Sequence, residues 1–202
     1  GGGGQPFDTG VLRIQGQELK VVGIEKNGDE IVHVLESEPV QKSGSVHCLI
    51  DWDKRYIYMR YHTALHVIDG VIAKNYKSDI MATSGQIYAD RARLGFDMPE
   101  LNKELAEKIV EEADKVAKEG HKVTAREITR EEALKIENLA RTEPGKRLIE
   151  SLEKVRIVEI EEVDIQADGG THVSNTKEIG TISLLKFENK GSNDKKLVIK
   201  IS

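Results

Sequence analysis

The chain has 202 residues, 38% of them hydrophobic and 32% charged, with a net charge of −5. That content supports a packed core and excludes wholesale disorder, and the acidic balance argues against a protein that coats nucleic acid non-specifically. Cys48 is the single cysteine, which excludes an intramolecular disulfide or a cysteine zinc cage and fits a reducing, cytoplasmic setting; no apolar run reaches the length of a membrane span, and no signal peptide is visible.

Residues 1–50 read as a small β module. After Gly1–Gly4, Gln5 and Pro6 come short apolar stretches over Val11–Ile14, Leu19–Ile24, Ile31–Leu35 and Val46–Ile50, with Asn27-Gly28 as a hairpin signal between two of them. Helical periodicity is absent, so a small barrel or curled sheet is expected, with Cys48 buried in it. From Trp52 to about Tyr76 the pattern changes. Ile57, Tyr61, Leu65, Ile68 and Ile72 recur at helical spacing and predict one long amphipathic helix, with His62 and His66 at the border of its apolar stripe.

A polar loop over Thr83–Gln86 runs into strands expected at Ser84–Ala89 and Arg91–Phe96. Pro99 opens a second predicted helix, with Leu101, Leu105, Ile109, Ala113 and Val116 on one face and Gly120 closing it. His121–Ile128 alternates as a strand, and Thr129 to Glu132 is a capping box that starts a short helix. Glu143-Pro144-Gly145 reads as a break before a short helix over Lys146–Lys154. Strands are expected at Val155–Ile160, Glu178–Asn189 and Lys195–Ile201, the last two joined by a hairpin at Gly191–Asp194. The predicted fold class is α+β: a β-barrel-like domain over residues 1–50, then a two-layer α/β domain over residues 51–202.

His62 and His66 stand four apart, so on a helix both imidazoles project from one face and can reach one ion. The pair alone is equally what two hydrogen-bonded surface histidines would give. His172 follows Gly169-Gly170-Thr171, poor material for an ordinary strand, and Asp168 lies four residues before it. Three histidines with an aspartate suit zinc better than iron, nickel or copper. Thr63 stands where a zinc peptidase helix carries its glutamate, so peptide hydrolysis is not encoded there.

Arg60-Tyr61-His62-Thr63-Ala64-Leu65-His66 and Gly169-Gly170-Thr171-His172-Val173-Ser174-Asn175-Thr176 resemble the editing domain of alanyl-tRNA synthetase and its freestanding AlaX-type relatives. Gly2–Gly10 resembles the glycine-rich segment of the β domain that precedes it, and Ile50–Arg55 its helix-opening motif. The four blocks come in the family's order over nearly the whole chain. The resemblance implies a threonyl/alanyl-tRNA synthetase additional-domain fold. It also implies a zinc-assisted aminoacyl-tRNA deacylase, a carboxylic ester hydrolase, acting on alanine tRNA mischarged with serine and, as a second substrate, glycine. Neither a DNA nor a membrane partner is implied, and a freestanding protein is expected over an excised piece of a synthetase.

The family's fourth ligand is a cysteine where this chain has Asp168, which either ligates the ion, directly or through water, or supports a ligating histidine. The substrate-binding candidates are Thr63, Thr83, Ser84, Gln86, Gly169, Gly170 and Thr171. For Thr63 the competing reading is a hydroxyl bonded to the carbonyl one turn back, and for Thr83–Gln86 a plain turn. No catalytic residue beyond a water at the metal is named, and no serine or cysteine is paired with a base for a covalent intermediate. The alternative to an enzyme is a tRNA- or protein-binding module of the same fold with a degraded metal site. A metal-dependent hydrolase of small esters is the third reading.

Overall fold

Asn27-Gly28 marks a turn between strands β2 (Gln17–Asn27) and β3 (Glu30–Leu35), as the dipeptide predicts. The computed structural model describes residues 4–28, 30–41, 43–76, 82–140, 143–189, 191 and 195–202; Gly1–Gly3 and the Ser192–Asp194 part of the expected last hairpin lie outside the described residues. With β1 (Gly10–Ile14) and β4 (Val46–Ile50) the first strands form one antiparallel sheet in the order β3-β2-β1-β4. The outer strands β3 and β4 do not pair with each other among the described residues. The sheet is therefore open where a barrel-like closure was expected.

Alternation puts Leu12, Val21, Ile24, Ile31, Cys48 and Ile50 on one face of this sheet, and that face lines a cleft. Cys48 is accordingly exposed, not buried: apolar neighbours in the sequence do not bury a residue on an outer strand that faces open space.

Helix α1 (Trp52–Asn75) starts where Asp51 accepts a hydrogen bond from the Lys54 N–H. Every residue from Tyr61 to Ile72 is buried. The expected amphipathic helix is thus a central one, buried all round. Around it lie helix α2 (Lys103–Glu119) and a four-stranded antiparallel sheet in the order β10-β11-β6-β5. These strands are β5 (Ala82–Ile87), β6 (Ala92–Phe96), β10 (Ile182–Asn189) and β11 (Lys195–Ile201). A three-stranded antiparallel sheet flanks the helix on another side, in the order β7 (Val123–Thr129), β8 (Lys154–Ile160) and β9 (Asp164–Ala167).

Strand β8 shows how the layers share residues. Ile160 joins the main core with α1, whereas Val155 and Ile157 join a second cluster with Ile128, Ala133, Leu139 and Ile149. That cluster packs under the short helices α3 (Arg130–Ala133) and α4 (Glu143–Ser151). The Thr129–Glu132 capping box that starts α3 is present. Among the described residues no helix is long and apolar enough to cross a membrane.

Several boundaries differ from those the sequence predicts. Helix α2 opens at Lys103, not at Pro99, because the Asn102 side chain accepts from the Leu105 N–H (2.9 Å) and so sets the cap; Gly120 closes it in the left-handed conformation, at φ 92°. Helix α4 runs through Glu143-Pro144-Gly145 and ends at Ser151, since a proline in the first turn loses no hydrogen bond. The strand expected from Glu178 begins at Ile182, because Thr176–Ile179 forms a 3₁₀ turn with a capping box between Asn175 and Glu178. Strand β9 has no counterpart in the sequence reading.

Candidate metal centre and its cleft

A polar group inside a helix that is buried all round costs about 1–3 kcal/mol if it lacks a partner. Four such residues lie on the buried part of α1: His62, Thr63, His66 and Asp69. Their partners come from the chain between Val163 and Val173, a hundred residues away. His62, His66, Asp168 and His172 each present one ligand atom, and these atoms lie within 4.8 Å of one another. The rings stand close: centroids are 4.3 Å apart for His62 and His172, 4.7 Å for His66 and His172, and 5.1 Å for His62 and His66.

Hydrogen bonds on the far side of two rings decide which nitrogen faces inward. The Thr63 hydroxyl donates to the Met59 carbonyl (2.9 Å) and accepts from the Val173 N–H (3.2 Å). Its only hydrogen is used, so His172 Nδ1, 3.2 Å away, carries a hydrogen and donates it to Thr63. In the same way His66 Nδ1 donates to Asp164 Oδ2 at 3.0 Å. In the neutral rings both Nε2 atoms keep a lone pair, the form that binds a metal.

Asp168 completes the group. Its Oδ1 lies 3.1 Å from His172 Nε2 and accepts the Gly170 N–H at 2.8 Å, and its Oδ2 lies 3.7 Å from His62 Nε2. Its backbone is held by Arg156, whose Nη1 donates to the Asp168 carbonyl at 2.7 Å. Burial disfavours the Asp168 carboxylate, but in acid, where His172 is protonated and donates to it and the neighbouring histidines carry charge, they outweigh burial and hold the group far below the usual carboxylate range.

Burial pushes His62 well below the ordinary histidine value. It also lowers His172, to about 4, against the opposing pull of Asp168. His66 is raised, because Asp164 outweighs its burial. With His172 neutral at pH 7, a lone pair and a carboxylate oxygen face each other at 3.1 Å, an arrangement that a cation between them would stabilise. The donor set therefore fits a divalent ion of the borderline class, zinc among them.

His62, His66 and Asp168 line a cleft of about 1050 Å³ between the apolar face of the first sheet and the α1/β9 side of the molecule, while His172 lines a smaller pocket with Trp52, Tyr56 and Arg156. Of the substrate-binding candidates, Gly169, Gly170, Thr171, Thr83 and Ser84 line the cleft. A register shift between Ala82 and Ser84 breaks the alternation of β5. In consequence both neighbouring hydroxyls lie over Gly95, where a Cβ would come within 2.5 Å of Ser84 Oγ and 2.9 Å of Thr83 Oγ1. Thr63 and Gln86 do not line the cleft: Thr63 is fully buried with its hydroxyl bonded as above, and Gln86 accepts from Arg93 Nη2 at 2.8 Å. Thr83–Gln86 is strand, not loop.

The glycine-rich segment and the helix-opening motif, known from the sequence only as resemblances, acquire definite contacts. The Gln5 side chain donates to Thr171 Oγ1 at 2.9 Å, tying the glycine-rich segment to the Gly-Gly-Thr-His turn. Asp8 forms a two-point ion pair with Arg55. The Gly4 carbonyl accepts the Ile87 N–H (2.9 Å), and a Cβ on Gly4 would sit 2.2 Å from the Gly85 carbonyl oxygen, so only glycine fits there. The segment that precedes the first strand is thus built into one side of the cleft.

The end of the Gly-Gly-Thr-His segment is anchored by Glu178, which accepts from the Ser174 N–H and Oγ, the Asn175 N–H and the Tyr56 hydroxyl. These bonds outweigh its burial and lower its pKa. A lowered carboxylate stabilises the fold above its unfolded value and loses that effect as the pH falls through its folded value. Glu178→Gln should therefore cost about 1–3 kcal/mol at neutral pH. The gap to the parent should close below about pH 4.5, the ordinary value, in denaturant titrations at stepped pH.

Residues 155–199 match the family described as the threonyl and alanyl tRNA synthetase second additional domain. An alanyl-tRNA editing protein AlaX-M of Methanosarcina barkeri is 37% identical over 96% of this chain and 82% of its own length. The AlaX-M of Saccharolobus solfataricus is 36% identical over 98% of this chain and 82% of its own. The chain belongs to the AlaX-M family. It is also 39% identical to the alanine–tRNA ligase of Hyperthermus butylicus, over 93% of this chain and only 20% of that much longer protein. The β9 strand and the Gly-Gly-Thr-His turn, which supply Asp168 and His172, both fall within the matched 155–199 segment, whereas His62 and His66 lie outside it.

Proposed function

We propose that this protein hydrolyses the ester of mischarged alanine tRNA in trans, with serine as the preferred misplaced residue and glycine the second, using zinc held by His62, His66, His172 and Asp168. The observation that carries this reading is the convergence of three histidines and one carboxylate, from a helix and a distant glycine turn, at a cleft in an AlaX-M chain. A zinc ion there would supply Lewis-acid polarisation of the ester carbonyl.

The chain's own residues do the rest. Gln5 holds Thr171, and with it the turn that carries His172, in place. Thr83 and Ser84 offer a pair of hydroxyls that can recognise the side-chain hydroxyl of serine. Hydrolysis then joins the water oxygen to the carbonyl carbon, breaks the bond from that carbon to the ribose oxygen, and releases serine and a restored ribose hydroxyl. An ester is a weak bond to defend, so positioning suffices without a covalent enzyme intermediate.

A cleft of about 1050 Å³ is at the upper end of small-molecule sites, which suits the last nucleotides of an RNA with their aminoacyl group better than a free amino-acid ester. On this reading residues 1–50 form a β module that walls the cleft, residues 51–202 form the hydrolytic domain, and the setting is cytoplasmic. Asp168 in the position of a family cysteine favours one other reading, a tRNA-binding module without turnover.

Elemental analysis and a seryl-tRNA deacylation assay separate the two. One zinc per chain with release of free serine is expected, and tRNA binding with neither would overturn the enzyme. Asp168→Cys is expected to retain or raise zinc affinity in a chelator competition, because thiolate is the softer ligand. A sharp loss of zinc in that variant would show that the carboxylate is required for another reason, such as its bond to the Gly170 N–H.

A further inference from the structure

Beneath His66 lies a buried polar chain that the deacylation mechanism does not use. Strand β9 is only four residues long, Asp164–Ala167. Its alternation sends Ile165 and Ala167 to the second apolar cluster and leaves Asp164 and Gln166 toward α1. Both are buried, at 6% and 7% exposure. Asp164 Oδ2 takes the His66 Nδ1 hydrogen at 3.0 Å and a Gln166 amide hydrogen at 2.9 Å. The same Gln166 nitrogen donates at 2.6 Å to Asp69 Oδ2, one helix turn beyond His66. An amide nitrogen has two hydrogens, and here each meets a carboxylate oxygen.

We infer that Asp164, braced by Gln166 and Asp69, is a positioning residue of the metal centre: it holds His66 in the tautomer and orientation that aim Nε2 at the ion. The inference rests on the metal-centre reading above. The Gln166 amide gives one hydrogen to each of the two side-by-side acceptors and so fixes both carboxyl groups without adding charge. Asp164 accepts only, so His66 Nδ1 must donate, and the lone pair is confined to Nε2. The backbone is shaped for this contact. At Gly70 an added Cβ would lie 2.6 Å from the Val163 carbonyl oxygen and 3.1 Å from Asp164 Cβ, so a glycine in α1 is what lets β9 approach closely enough. Gly70 is buried in mid-helix, where glycine is otherwise less favourable than alanine. The close approach explains its presence.

The test uses the full chain, with zinc as the probe. Zinc affinity is measured by chelator competition for the parent, Asp164→Leu, Asp164→Asn and Gln166→Leu, alongside apo-protein melting. The His66 tautomer is read by ¹⁵N NMR. Asp164→Leu should weaken zinc binding about 10- to 100-fold, the usual effect of removing a partner behind a ligating histidine. It should also release His66 to a mixture of tautomers, a change that loss of packing alone would not cause. Asp164→Asn, which keeps an acceptor oxygen, should recover part of the affinity. If Asp164→Leu fails to fold, Asp164→Asn and Gln166→Leu carry the decision, each with weakened zinc binding expected. A zinc-binding parent whose folded variants stay within about threefold of it overturns this inference alone, being well short of the outer-partner effect. A parent that takes up no zinc overturns the metal centre itself.

Discussion

His66→Ala is expected to abolish stoichiometric zinc and to lower seryl-tRNA deacylation by about two orders of magnitude or more, beyond the roughly 10- to 100-fold that follows loss of an outer partner. Two effects combine in this variant. One of the three imidazoles is lost from a donor group whose atoms lie within 4.8 Å of each other. The Asp164 carboxylate, whose side chain has no exposed surface, also loses the hydrogen it accepts at 3.0 Å. Asp164 Oδ2 keeps the Gln166 hydrogen at 2.9 Å, so the loss is that of one buried hydrogen bond, about 0.5–1.5 kcal/mol, and the apo protein should melt earlier as well. Zinc content by elemental analysis and initial rates of serine release read the first effect, and apo-protein melting reads the second. Unchanged zinc in a folded His66→Ala protein would remove the helix pair from the ligand set.

Gly170→Ala should damage the centre about as severely, although it removes no ligand. A Cβ on Gly170 would fall 2.2 Å from His62 Cε1 and 2.4 Å from Nδ1. The ring cannot yield, because His62 is 5% exposed and stacks against His172 with centroids 4.3 Å apart. Overpacking of this kind costs about 1–3 kcal/mol and must displace a ligand ring or the turn itself. The adjacent glycine is the control: a Cβ on Gly169 would meet nothing within 4 Å. Gly169→Ala is therefore expected to bind zinc like the parent. Equal zinc affinities for the two alanine variants would mean that the turn sits differently against His62.

The contrast between these neighbours shows where the sequence stops. Gly-Gly-Thr-His marks a turn that carries a ligand, and both glycines look alike in it. Which one lies against His62 depends on the docking of two segments a hundred residues apart. Thr63 gives the same lesson. Its spacing beside the histidines admits a substrate contact or a bond to the carbonyl one turn back. The bond to Met59, with Val173 and His172 on the other lone pairs, leaves its hydroxyl nothing to offer the cleft.

Local signals were legible because their physics is local. Asn27-Gly28 turns, Asp51 caps α1, Thr129 and Glu132 form their box, and the long helix spans Trp52–Asn75. Strand β9 and the open edge of the first sheet were not legible, since a four-residue strand has too few positions to show alternation and sheet closure depends on partners distant in sequence. The amphipathic reading of α1 failed for a related cause: a stripe records apolar residues, and polar residues buried by pairing leave no mark on it.

The sequence by itself determined the α+β class, the family, and the residue types of the centre: two histidines four apart, a third after two glycines, and an aspartate in place of a cysteine. Helical pitch and turn chemistry act over a few residues, so they are written in the order of the chain. Tertiary structure alone decided which nitrogen each ring presents. It brought Asp164 behind His66, set Gln5 against Thr171, and placed an apolar sheet across from the ligands. Those outcomes depend on hydrogen bonds and packing between segments that meet only when the core around α1 has closed.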